Sequence, residues 1–368
     1  ELMNSDGLTA RYLTGRERIA RPARRRVVKD RIIVRGAREN NLKNIDVAFP
    51  LHMLTVVTGV SGSGKTTLVK RILYPALRRE LEGFSERPGE HKSIEGDIHR
   101  IQAVELVDQN PIGRSSRSNP VTYVKAWDEI RQLFTEQEVA KVRGYKPAFF
   151  SFNVDGGRCE VCQGEGEVHI EMQFMADISL RCDACHGKRF KEEILDVKFA
   201  GRDVAEVLDM TVDDALAFFQ ANMDKHNACK RVVDKLLPLQ STGLGYVKLG
   251  QSSSTLSGGE AQRIKLSSFL TKGQEQKPTL FIFDEPTTGL HFHDIAKLLK
   301  AFNDLIENGH SVLVIEHNLE VIACADHLID LGLEGGDGGG QLLFEGTPEQ
   351  LVAEQRSHTA QFLKAHLG

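Results

Sequence analysis

The residues Gly59-Val60-Ser61-Gly62-Ser63-Gly64-Lys65-Thr66 fit the pattern G-x-x-x-x-G-K-[ST]. Glycines at these positions let successive backbone N–H groups converge on phosphate oxygens, and a helix starting at the end of the loop adds its dipole. Lys65 would reach the β- and γ-phosphates of ATP and Thr66 would offer its hydroxyl to Mg²⁺, with Ser61, Ser63 and Thr67 alongside as nucleotide-binding positions. Far downstream, the apolar run ending at Phe283 is followed by Asp284-Glu285. Two carboxylates after a strand suit phosphoryl chemistry: Asp284 for the Mg²⁺ shell, Glu285 as the general base orienting water toward the γ-phosphate. Paired acids here can also be a helix N-cap and its first turn, and the phosphate loop upstream favours the catalytic reading.

A second group of residues suits a metal. Cys159-x-x-Cys162 and Cys182-x-x-Cys185, nineteen residues apart, have the spacing of a tetrahedral Zn²⁺ site of the closed, structural type. Gly164, Gly166 and Gly187 follow the two pairs and permit tight knuckles. His169 and His186 are less well spaced as ligands, and Cys229 and Cys324 read as buried or inert thiols. Val168, Ile170, Met172 and Phe174 alternate with His169, Glu171 and Gln173, the pattern of a half-buried strand in a hairpin that could touch DNA or a partner.

The string Leu256-Ser257-Gly258-Gly259-Glu260-Ala261-Gln262-Arg263 carries two readings. Ser257 and Glu260 fit a capping box, and the glycines also open a helix start to an anion. The string resembles the signature motif of the ABC ATPase family. That resemblance implies ATP held between two modules, each phosphate loop facing the Ser257, Gly258 and Gly259 equivalents of the other. It also implies that Gln109, in Val107-Asp108-Gln109, sits near Mg²⁺ and the attacking water, and that His317 contacts the γ-phosphate. No aromatic residue lies between Arg31 and Ala48, where transporter-type members stack adenine, so base selectivity stays open.

The elements that must position these residues follow from periodicity. Ile32 to Val34 and Ile45 to Phe49 read as strands around a turn at Glu39-Asn40-Asn41, Leu54 to Thr58 as a buried strand, and Thr66 to Leu81 as the helix after the loop. Thr279 to Phe283 and Ser311 to Ile315 read as buried strands, with an amphipathic helix over Ile295 to Ile306 between them. Continuous apolar strands alternating with helices predict an α/β fold with a parallel sheet. The expected organisation is a basic arm or linker at 1–30, a P-loop ATPase core at 31–110 and 272–368, and an inserted, mainly helical signature lobe at 111–271. The zinc-stapled β-hairpin falls within the lobe at 155–190. Gly335 to Gly340 is a low-complexity glycine loop.

At 368 residues, 40% hydrophobic and 27% charged, the chain has the composition of a folded protein of two or three units. No apolar run approaches the ~18 residues of a membrane helix, which predicts a cytoplasmic protein. The net charge of −4 leaves DNA contact to local basic patches. Arg16, Arg18, Arg21, Arg24, Arg25, Arg26, Lys29 and Arg31 form one, read first as a solvated tail; Arg114, Arg117, Lys141, Arg143, Lys146 and Arg158 are further candidates. The chain begins at Glu1, and reads as a piece of something larger.

Across nearly its whole length the sequence resembles the UvrA family. The resemblance is carried by Gly36-Ala37-Arg38-Glu39-Asn40-Asn41-Leu42, Arg117-Ser118-Asn119-Pro120, Phe150-Ser151-Phe152-Asn153, the cysteine insert, Asp284-Glu285-Pro286-Thr287-Thr288-Gly289-Leu290-His291 and Ile315-Glu316-His317-Asn318. It implies the C-terminal ABC module of a DNA-damage-sensing ATPase in nucleotide excision repair. The implied partners are DNA, a second ABC module (the N-terminal half, or a head-to-tail copy) and, in the full protein but not through this piece, UvrB. Alternatives are a UvrA paralogue of drug resistance and the nucleotide-binding subunit of a transporter.

Overall fold

The alternation of Arg31–Ala37 (β1) turns Ile32 and Val34 into the core and leaves Arg31 outside. In the computed structural model β1 pairs antiparallel with β2 (Ile45–Pro50) on one side and with β4 (Ser93–Gly96) on the other. The next strand, β3 (Leu54–Gly59), is buried at every position, as a strand covered on both faces must be. With β5 (Ala103–Val107), β8 (Thr279–Asp284), β9 (Ser311–Ile315), β10 (His327–Gly332) and β11 (Gln341–Gly346) it forms a six-stranded sheet in the order β11-β10-β3-β9-β8-β5. All neighbours in this sheet are parallel except β11, which runs antiparallel to β10. The sheet is thus the mixed, largely parallel kind that the sequence pattern predicts.

The chain divides into two units, Glu1–Asp108 with Lys272–Gly368, and Gln109–Thr271. The structure describes residues 5–83, 86–113, 115, 117–170, 178–272 and 277–367. In the first unit the helix after β3 opens as a π-helical stretch, Thr67–Leu73, continues as Tyr74–Glu82 and ends at Gly83 with a left-handed φ of 80°. Its buried face, Leu68, Val69, Ile72, Leu73 and Leu77, joins Val57, Ile282, Leu313 and Ile329 of the sheet in one core.

The first 30 residues differ from the solvated tail read from their charge. Ala10 and Ile19 are buried, and Tyr12 stacks on Phe292 with centroids 5.5 Å apart. The backbone N–H and guanidinium of Arg26 donate to Asp326, which is 1% exposed, at 3.0 and 2.9 Å. Arg25 pairs with Glu349 at 2.7 Å, and Arg21 donates to the carbonyls of His366 and Leu367. Arg21, Arg25 and Arg26 of this basic run are therefore engaged within the first unit, and Arg26 supplies the donors that the buried carboxylate of Asp326 needs.

The second unit is mainly helical. The helix Ala126–Thr135 buries Trp127, Ile130, Leu133 and Phe134, spaced along one face, in a core shared with Val212–Gln220 and Asn227–Ser241. Glu129 on the first of these helices accepts from Arg231 and Lys235 on the last at 2.7 and 2.8 Å. The unit also carries a two-stranded hairpin, β6 (Glu167–Ile170) and β7 (Ile178–Arg181), with Val168 opposite Leu180 and Ile170 opposite Ile178. Val168 and Ile170 are exposed, not half-buried as their alternation suggested, and so are Ile178 and Leu180 opposite them; among the described residues no second layer covers them. Glu171, Met172, Gln173 and Phe174 fall outside the described residues. No helix among the described residues is long and apolar enough to cross a membrane.

Candidate nucleotide site and cysteine cluster

The loop that leaves β3 is shaped by close backbone approach. A Cβ on Gly59, whose φ is 130°, would lie 2.0 Å from the carbonyl oxygen of Leu331 on β10, so only glycine fits there. Lys65 folds back into the loop: it is 5% exposed, and its Nζ donates to the carbonyls of Gly59 and Val60 at 3.0 and 2.8 Å. Burial pushes the Lys65 ammonium below its ordinary value, while the charges of Glu285, Asp330 and Asp284 pull it back. Ser63 is fully buried with its Oγ unpartnered, Ser61 and Gly62 line the open side, and Thr66 and Thr67 begin the helix. A cradle with a buried cation, an orphaned hydroxyl and a helix start is suited to an anion such as a polyphosphate.

The loop is held from outside by residues that sequence reasoning did not single out for the site. Asn41 Nδ2 donates to the carbonyls of Gly62 and Gly336, and the N–H groups of Gly336 and Gly340 donate to Gly62 and Ser63. A Cβ on Gly335 would meet the Ser61 carbonyl at 2.5 Å, which explains the glycine loop 335–340 as a backing plate. Asp330, 1% exposed on β10, accepts from Ser357 and Thr359 at 2.5 and 3.2 Å; burial pushes its carboxyl up against those bonds.

Asp284 ends β8 and accepts from Lys70 Nζ at 2.7 Å. Glu285 follows with a left-handed φ of 47°, its N–H donating to the Ile315 carbonyl of β9 at 2.9 Å. That turn brings its carboxylate to 3.4 Å from Nε2 of His317, which stands just past the end of β9. Two positions thirty-two residues apart are therefore in contact. A cavity of about 270 Å³ between the loop and His317 is lined by Thr58, Gly59, Val60 and His358.

In the second unit Ser257 begins the helix Gly258–Lys272. Its N–H and Oγ donate to Glu260 at 2.8 and 3.0 Å and the Glu260 N–H returns to Ser257 Oγ at 3.3 Å, so the capping box is present. Tyr246 also donates to Glu260 at 2.7 Å. Burial of the Glu260 carboxyl is outweighed by these bonds, which hold it below its usual range. Gln109 is exposed and lies against the helix start: a Cβ on Gly258 would come 2.9 Å from its side chain, while Gly259 is buried behind.

Cys159, Cys162, Cys182 and Cys185 converge, all buried and all unbridged, with their sulfurs within 4.8 Å of one another. Cys159 to Cys182 is 3.9 Å and Cys162 to Cys185 is 3.6 Å. Four sulfurs at about 2.3 Å from one Zn²⁺ in a tetrahedron stand about 3.8 Å apart, whereas a disulfide needs about 2.05 Å. Burial pushes Cys185 up to about 12 and raises Cys162; at Cys182 it is outweighed by N–H donors from Cys185 and Ala184, which bring that thiol to about 7. The donor set fits Zn²⁺. His186 lies outside the cluster, exposed on the loop after Cys185.

UvrABC system protein A of Rhizobium meliloti (strain 1021) is 52% identical over 365 residues, 99% of this chain and 37% of that protein. The same protein of Clostridium perfringens (strain 13 / Type A) is 50% identical over 367 residues, 100% of this chain and 38% of that one. Among solved structures, UvrA2 from Deinococcus radiodurans superposes with a TM-score of 0.87 at 41% identity, over 97% of this chain and 42% of that chain. The chain belongs to the UvrA family. It spans somewhat over a third of the length of these UvrA relatives. No family model matches it.

Of the basic residues weighed for DNA contact in this UvrA segment, Arg143 pairs with Asp196 at 2.9 Å, Arg158 with Asp155 at 2.7 Å and Arg117 with Glu165 at 3.5 Å. Lys141 and Lys146 are exposed, and Arg114 lies outside the described residues. Glu316, in the UvrA-like string Ile315-Glu316-His317-Asn318, is a buried carboxylate. Nothing local in the sequence distinguishes it from a surface acid.

Proposed function

We propose that this chain is an ATP-binding and ATP-hydrolysing ABC module of a UvrA-type DNA-damage recognition protein in nucleotide excision repair. The observation that carries the reading is the pairing of Glu285 with His317, 3.4 Å apart, in the same unit as a loop with a buried lysine. Lys65 would exchange its two carbonyl partners for β- and γ-phosphate oxygens, and the N–H groups from Gly62 to Thr67 would take the remaining charge. Glu285 would accept the proton of the attacking water, and His317 would orient the γ-phosphate beside it. Mg²⁺, when bound, would neutralise phosphate charge, and Thr66 and Asp284, the latter now paired with Lys70, are the residues that would hold it. Ser257, Gly258 and Gly259 act in closing a site whose phosphate loop is supplied by a second ABC module, and Gln109 would act beside Mg²⁺ and the attacking water.

Zn²⁺ on the four cysteines staples the hairpin of the second unit, and DNA is the macromolecular partner. UvrB belongs to the full-length protein and is reached through other segments.

Two substitutions test the assignment together. Lys65→Ala is expected to weaken ATP binding at least tenfold, because the charge facing two phosphates is gone. Glu285→Gln keeps the shape and loses the base, so affinity stays within about twofold while turnover falls about a hundredfold or more. Normal hydrolysis by Glu285→Gln would remove Glu285 from the role of base.

A further inference from the structure

The proposed chemistry uses Glu285 and His317 and leaves Glu316 without a role, yet Glu316 is 3% exposed and its carboxylate takes four hydrogen bonds. Oε1 accepts from the Thr287 N–H at 3.0 Å and from the Thr287 hydroxyl. Oε2 accepts from the N–H groups of His317 and Asn318 at 2.5 and 2.9 Å. The donors come from two loops, the one that follows β8 and carries Glu285, and the one that follows β9 and carries His317. We infer that Glu316 is the positioning residue that fixes the distance between Glu285 and His317; the inference rests on the ATPase reading for its catalytic consequence.

Burying a carboxylate is costly unless donors surround it, and here each oxygen is committed to a different loop. One rigid, planar group therefore bridges the two chain segments within three residues of both Glu285 and His317. Glu285 is itself in a left-handed conformation that a non-glycine residue adopts only when its surroundings hold it there. Its N–H is hooked to Ile315, and Thr287, two residues on, is hooked to Glu316.

The donors also predict how an amide would behave. Three of the four are backbone N–H groups, which cannot accept; only the Thr287 hydroxyl can reverse its role. In Glu316→Gln the NH₂ must turn toward Thr287, because the other orientation would leave both His317 and Asn318 N–H groups unpaired. The substitution thus keeps the His317 loop and loosens the loop bearing Glu285, whose Thr287 N–H is left without its acceptor while the hydroxyl turns to accept.

The test uses Glu316→Gln, and Thr287→Val as a milder variant that removes only the hydroxyl donor and remains informative should Glu316→Gln fold poorly. Glu316→Gln is expected to lower kcat at least tenfold with KM for ATP within twofold. Its loss should not multiply with that of Glu285→Gln in the double variant, since both act on one pair. A second readout needs no turnover. In nucleotide-free protein, the His317 imidazole NMR signals, assigned by their disappearance in His317→Gln, should shift when Glu285 becomes Gln. In the Glu316→Gln background that shift should shrink by more than half, and in Thr287→Val by a smaller amount. An undiminished imidazole response in both backgrounds, or losses in kcat that multiply, overturns the inference. If the wild-type chain hydrolyses no ATP, the ATPase reading fails, and the imidazole response alone decides whether Glu316 positions the pair.

Discussion

Buried histidines without a charge partner carry a stability signal that single residues of this protein make testable. His327 has its Nε2 buried and unpartnered, and burial pushes it down to about 4. His310 is lowered for the same reason, and its Nδ1 accepts the Thr279 N–H at 3.2 Å, which requires a neutral ring. Both folded-state values lie below the unfolded value of 6.5, so between that value and the folded one the unfolded chain binds more protons. Stability is then complete above pH 6.5 and lost as pH falls toward 4. For His327 alone the loss between pH 7 and pH 5 is about 2 kcal/mol. Urea unfolding at the two pH values should show that loss reduced by roughly this amount in His327→Gln; an equal pH dependence in both proteins would contradict the assignment. Single residues were also the least legible scale. Lys65 and the four cysteines suggest their chemistry by spacing and Asp284 by its place at a strand end, whereas Glu316, Asn41 and Asp330 become informative only when distant strands bring their partners to them. Glu285 and His317 lay between, named from their neighbours but brought within 3.4 Å only by the pairing of β8 with β9.

Among the elements, local signals were read well and long-range ones poorly. The strand, glycine loop and helix from Leu54 to Leu81 were legible because each is fixed by residues within a few positions. The strands His327–Gly332 and Gln341–Gly346 were not singled out, and the central place of β3 between β10 and β9 could not be, since parallel pairing depends on segments hundreds of residues apart. The first 30 residues misled because arginine density looks like solvation until Asp326 and Glu349 are seen to consume it. For the cysteine element the distances give a sharp expectation. The purified chain should hold about one zinc, and Cys182→Ala should lower that content severalfold and lower thermal stability, because three thiolates no longer close the shell. Zinc content that is undiminished in Cys182→Ala would remove these cysteines from the role of ligands. With zinc bound, the pairing that carries the exposed Val168, Ile170, Ile178 and Leu180 would depend on that staple, since an isolated two-stranded hairpin is marginal in water.

For the molecule as a whole, the phosphate loop and the signature helix belong to different units of the chain, and the proposed function needs the signature of a second module to complete each ATP site. In the full-length relatives, of which this chain spans somewhat over a third, another part of the protein can supply it. The isolated chain would have to pair head to tail with a copy of itself, burying two identical sites related by a two-fold axis. The measurement that tests this most directly is the ATPase rate of a mixture of two inactive variants. Lys65→Ala removes the phosphate loop's charge, and Ser257→Arg blocks the signature. A mixed pair holds one dead site carrying both changes and one intact site carrying neither. Random pairing at equal amounts should restore about a quarter of the wild-type rate, rising with protein concentration as pairs form. No activity in the mixture, together with a wild-type rate per chain that does not change with concentration, would contradict the composite site and with it the central claim.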